Sequence, residues 1–205
     1  MSTFNEDLGK EEILGKFLDR VYTKLNIPLA RITDADMQHQ GIDLIYTAKN
    51  VAIHIDEKAQ LHYLNKDLPT FTFELSYLKD SSLNQGWLLD PHKKTDFFFL
   101  ITGIFLKNET LSCPDDIDRC KITSVNRKKL IAHLSDLGLT DAKLTAYDTE
   151  LRKNNVFGRH PIKELDKKNG LLFFTEHLAE KPINLQLRLQ YLLDNKIGKR
   201  IYPID

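Results

Sequence analysis

The segment Phe97-Phe98-Phe99-Leu100-Ile101-Thr102-Gly103-Ile104-Phe105-Leu106 contains no charged residue. A strand built from it has no face to offer to water, so it must lie in a sheet covered on both sides. Sheets covered in that way belong to layered α/β folds, in which helices supply the covering. The same run is far too short to cross a bilayer, and Thr102 and Gly103 interrupt it. This one stretch therefore asks for an α/β architecture and for elements that can pack on either side of it.

Such elements are visible upstream. Residues 7–25 predict an amphipathic helix: Leu14, Leu18, Val21 and Leu25 follow three/four spacing, Phe17 and Tyr22 widen the stripe, and Ile27-Pro28 ends it. A polar connection at 33–40 leads to two predicted strands, 42–47 and 51–59, joined tightly across Ala48-Lys49-Asn50. Residues 70–77 alternate, with Phe71, Phe73 and Leu75 on one face and Thr72, Glu74 and Ser76 on the other. A short apolar segment, Gly86-Trp87-Leu88-Leu89, and a polar turn at 90–95 precede the buried run.

Composition shifts after Leu106, which divides the chain into a core at 1–107 and a smaller α/β extension at 108–205, the latter able to pack onto the same core. In the extension, 120–125 reads as a strand and 126–137 as a helix stopped by Gly138. Residues 140–151 fit neither period cleanly. Leu171-Leu172-Phe173-Phe174 reads as a strand, residues 185–195 as an amphipathic helix, and 152–168 as a polar loop.

Bulk properties narrow the function. Lysine plus arginine equals aspartate plus glutamate, 29 of each, which counts against a dedicated, non-specific nucleic-acid coat. The N-terminus lacks a basic start followed by an apolar stretch, so the expectation is a cytoplasmic chain with no membrane partner. Cys113 and Cys120 flank an acidic segment without a second Cys/His pair, which predicts free thiols and not a zinc site. No glycine-rich phosphate loop and no Gly-x-Ser-x-Gly elbow occurs.

The chemistry concentrates at the predicted hairpin. Asp43 opens its first strand, and the second ends Asp56-Glu57-Lys58. Side chains alternate along a strand, so Asp56 and Lys58 share a face while Glu57 points the other way. Two carboxylates and an ammonium converging at a strand end suit metal-dependent cleavage of a phosphodiester. Glu11, reached by tracing the helix stripe backward, and Glu74, on a neighbouring strand, are further candidate acids. Gln60 continues the Asp56/Lys58 face.

Asp43 followed by Asp56-Glu57-Lys58, within a helix–hairpin–strand–strand order over residues 7–106, resembles the PD-(D/E)XK phosphodiesterase superfamily, the restriction-endonuclease-like fold. The resemblance implies a mixed central sheet with flanking helices and divalent-metal-dependent hydrolysis of nucleic acid, with DNA as the expected substrate. It assigns Asp43 and Asp56 as catalytic ligands of Mg²⁺, with Mn²⁺ as a substitute, and Lys58 as the catalytic cation beside the attacking water. Glu11 or Glu74 would assist the metal. Ile42 stands where the pattern has proline, and Gly41 offers a bend in its place. Lys93 and Lys94, in the turn before the buried strand, are candidate phosphate contacts together with Gln60. Trp87 reads as a core residue ahead of a base-stacking one. Cutting both strands with one site per subunit requires two subunits, which makes a homodimer a candidate assembly. The competing expectations are a catalytically inactive binding module on the same fold, such as a phage or mobile-element accessory protein, and a protein–protein interaction domain.

Overall fold

The leucine stripe of the N-terminal segment forms α1 (Thr3–Lys24), with Leu14, Leu18, Val21 and Tyr22 buried along one side. The computed structural model of the chain describes residues 3–203; the reading of the N-terminus rests in part on Met1 and Ser2, which lie outside them. After α1 come β1 (Leu29–Arg31), α2 (Ala35–His39), β2 (Leu44–Ala48) and β3 (Val51–Ala59). They are followed by β4 (Thr70–Lys79), β5 (Ser82–Gln85), β6 (Phe97–Leu106) and β7 (Ile117–Asn126). The remainder is α3 (Arg127–Asp136), α4 (Asp141–Asn154), β8 (Gly158–His160), β9 (Gly170–Phe174), β10 (Ile183–Arg188), α5 (Leu189–Asp194) and β11 (Gly198–Tyr202). None of the described helices is long and apolar enough to cross a membrane.

The chain is a mixed α/β protein divided into two units. One comprises Met1–Leu68, Thr95–Val125 and Lys199–Asp205; the other comprises Pro69–Lys94 and Asn126–Gly198. This interleaved division does not coincide with a single boundary at 107–108.

The first unit is built on a six-stranded sheet of order β1-β2-β3-β6-β7-β11. The sheet is mixed: β1/β2 and β2/β3 pair antiparallel, and β3/β6 pair parallel. The β2–β3 hairpin turns on Lys49 and Asn50, both at positive φ, the two-residue geometry whose twist matches the strands it joins. Phe98 through Ile104 of β6 are all buried, as a strand covered on both faces requires. Phe99, Ile101 and Ile104 join Leu44, Ile55 and the buried face of α1 in one apolar cluster. Residues 101 and 104 can share a side because Gly103 adopts φ +54° between them and breaks the alternation. A Cβ there would also meet the Asp67 carboxylate at 3.0 Å, so the position calls for glycine.

The second unit holds a five-stranded sheet of order β5-β4-β10-β9-β8, in which every neighbour pairs antiparallel. Here two expectations fail. Residues 70–77 do form a strand, but β4 belongs to this sheet and not to the one that carries the hairpin. Residues 185–195, read as one helix, are the end of β10 followed by the short α5. Ile183, Leu185 and Leu187 alternate into the core between β4 and β9, and that pairing decides against the helical spacing of Leu185 and Leu189. Gly86–Leu89 is a turn, held where a Cβ on Gly86 would collide with the Glu74 carbonyl oxygen. The 140–151 segment becomes α4, capped by Thr140.

Candidate metal centre at the β2–β3 hairpin

Pairing of β2 with β3 puts Leu44 opposite Ile55, so the next step along the ladder sets Asp43 opposite Asp56 on the same face. The Asp43 N–H donates to the Ile55 carbonyl (2.9 Å), and the Glu57 N–H donates to Asp43 Oδ2 (2.7 Å). Asp56 is almost wholly buried, at 1% exposure. The Lys58 ammonium lies 2.6 Å from Asp56 Oδ1 and keeps part of its surface in solvent. Strand alternation thus brings Asp43, Asp56 and Lys58 together, and the fold orients Asp43 with a backbone donor from the next strand.

This grouping has an electrostatic cost. Burial, followed by the charge of the neighbouring Asp56, pushes the Asp43 carboxyl up to about 7, against the opposing pull of Lys58 and the Glu57 N–H. Asp56 Oδ2 is buried with no hydrogen-bond partner. A buried, unpartnered oxygen beside a second carboxyl is a donor set that a hard divalent cation fits, since Mg²⁺ takes one or two protein carboxylates and completes its shell with water and phosphate.

Glu57 occupies the opposite face. Its Oε1 accepts from the Tyr22 hydroxyl (2.6 Å) and its Oε2 from Arg31 Nη1 (2.5 Å). Arg31 also donates through Nε to Asp19 (2.9 Å). Burial and the adjacent Glu57 charge hold the Tyr22 phenol well above its ordinary range, so it remains a donor.

A cleft of about 620 Å³ runs between α1 and the hairpin, lined among others by Glu11, Arg31, Asp43, Glu57 and Lys58. Glu11 therefore lines the same cleft as Asp43, although it is an exposed residue of α1 and not a core-facing one. Among the described residues no three Asp, Glu, His or Cys side chains converge tightly enough to form a ready-made metal cage. Of the other candidates, Gln60 belongs to the first unit and Glu74, Lys93 and Lys94 to the second. Glu74 sits on β4 of the second unit, opposite Asn184 of β10. Gln60 follows β3, with its N–H donated to Ile101 and its side-chain amide oxygen buried. Lys93 and Lys94 belong to the second unit, where the Lys93 carbonyl accepts from Arg127. None of the four lines the cleft.

No family model, curated protein or solved structure matches this chain. The case for a function therefore rests on the residues themselves.

Arg31 and Tyr22 are the site-adjacent residues that sequence reasoning missed. The available signal was a lone arginine in the otherwise apolar stretch Leu29-Ala30-Arg31-Ile32, too short to show a strand period. Trp87 packs on Phe73 at 5.5 Å between ring centroids, a core contact, and both cysteines are free thiols.

Proposed function

We propose that this chain is a divalent-metal-dependent nuclease of PD-(D/E)XK type that hydrolyses phosphodiester bonds of DNA. The observation that carries the reading is the pairing of Asp43 with Asp56 across the hairpin, with the Lys58 ammonium 2.6 Å from Asp56. The mixed sheet with α1 packed on it is in keeping with the resemblance, now that the core is taken from the first unit with β4 removed.

Asp43 and Asp56 would hold Mg²⁺ or Mn²⁺, with Glu11 on the cleft wall within the same approach path for substrate. A bound divalent ion supplies a lowered pKa for its water and neutralises charge on the phosphate. Within the chain, the Glu57 N–H fixes the Asp43 carboxylate, and Lys58 offers N–H donors to a water or phosphate oxygen at the cleft. Burial of Asp56 keeps competing water off its inner oxygen.

The test is cleavage of duplex and single-stranded DNA by purified protein in Mg²⁺ or Mn²⁺, compared with Asp56→Ala. The variant should stay folded and lose activity by about a hundredfold or more; retained activity refutes this site. One observation favours a second reading, a catalytically inactive binding module: Asp56 is nearly inaccessible and already paired with Lys58. DNA binding without cleavage in either metal would decide for it.

A further inference from the structure

We propose that Glu57 is a positioning residue for the Asp43/Asp56/Lys58 group, acting through its own peptide N–H on Asp43; this rests on the reading of that group as a cation site. Residue 57 lies between Asp56 and Lys58, and its N–H donates to Asp43 Oδ2 at 2.7 Å. That single contact aims the Asp43 carboxylate. What holds the peptide is the side chain on the other face of the strand, which is only 12% exposed.

There, Tyr22 of α1 and Arg31 of β1 converge on the Glu57 carboxylate at 2.6 and 2.5 Å, and Asp19 of α1 closes the set onto Arg31 at 2.7 Å. Each partner is anchored. Tyr22 is buried against Phe99 of β6 at 5.9 Å, and Arg31 lies along α1 beside Gly15, to whose carbonyl its Nη2 donates at 3.4 Å. Two elements, α1 and β1, are thereby pinned to β3 at the one residue flanked by both Asp56 and Lys58. Apolar packing alone would hold α1 on the sheet; it would not explain a charged side chain placed at that point with two strong donors. Partners of ligating carboxylates set metal affinity because they fix ligand orientation before the ion arrives.

The test is titration of Mn²⁺ into the full chain, followed by loss of the free-ion electron paramagnetic resonance signal. Glu57→Ala should weaken Mn²⁺ binding by about tenfold, and Glu57→Gln, which keeps an oxygen for Tyr22 and Arg31, should retain most of the affinity. Tyr22→Phe should weaken binding in the same direction and serves if Glu57→Ala does not fold. Val21→Ala, a core change on the same helix away from the cleft, should lower the melting temperature and leave Mn²⁺ affinity unchanged. Wild-type affinity in Glu57→Ala or Tyr22→Phe, or an equal loss in Val21→Ala, overturns the positioning role while the cation site stands. No Mn²⁺ binding by the wild type overturns both.

Discussion

Replacing Asp43 with asparagine should stabilise the folded chain, and by an amount that depends on pH. The Asp43 carboxyl holds its proton up to about 7 when folded, against an ordinary value of 3.8. Between those values the folded state binds a proton that the unfolded state has released, so this group's contribution falls as pH rises and levels off above about 7. At about 1.4 kcal/mol per pH unit, the full gap is worth at most about 4 kcal/mol. Asparagine keeps an oxygen to accept the Glu57 N–H and carries no charge toward Asp56. The stability difference, Asp43→Asn variant minus wild type, should therefore grow by up to about 4 kcal/mol between about pH 4 and pH 8. Urea unfolding of both proteins across that range measures it, since groups common to both cancel. Saturating Mn²⁺ should erase the advantage by stabilising only the wild type. A difference that stays constant across pH would refute the conclusion that burial and the Asp56 charge raise the Asp43 carboxyl.

Three further outcomes follow from the same geometry. Lys58→Ala leaves the buried Asp56 carboxylate without its cation and should cost about 3 kcal/mol at pH 8, read by the same unfolding assay; no loss would mean the pair contributes nothing to folding. In the second unit, Asp148 is buried between Ser76 and Arg152, so Asp148→Ala should destabilise by about 3–5 kcal/mol, and a change under about 1 kcal/mol would show the cluster is solvated. Gly103→Ala forces a side chain into positive φ against Asp67 and should cost about 1–2 kcal/mol, seen as a lowered melting temperature; a neutral result would contradict the strain argued for that position.

The parts of this fold that were legible in the sequence are those governed by local period. Phe97 to Leu106 had no polar face to expose, and α1 carried a stripe whose spacing only a helix satisfies. The hairpin declared itself through two strand runs and a short polar break, and alternation within it put Asp56 beside Lys58 and Glu57 behind. The rest depends on long-range pairing. Leu185 and Leu189 fit a helix as well as Ile183, Leu185 and Leu187 fit a strand, and only the flanking β4 and β9 decide. The helix α4 buries Asp148 where the pattern would want an apolar residue, so its stripe was unreadable until Ser76 and Arg152 were seen to satisfy the charge. The chain leaves the first unit after Leu68 and re-enters at Thr95, an excursion with no local signature. Glu74, Lys93 and Lys94 fall within that excursion and so belong to the second unit. Arg31 and Tyr22 meet Glu57 from separate elements, and no spacing rule connects them.

If Asp43, Asp56 and Lys58 form a phosphodiester-cleaving metal site, the chain cuts DNA only while a divalent ion is free to bind. Incubating the purified chain with end-labelled duplex DNA in Mg²⁺, with and without chelator, tests it most directly. Shortened products that vanish with chelator are expected; intact DNA after incubation of folded protein with either Mg²⁺ or Mn²⁺ would rule out cleavage at this site.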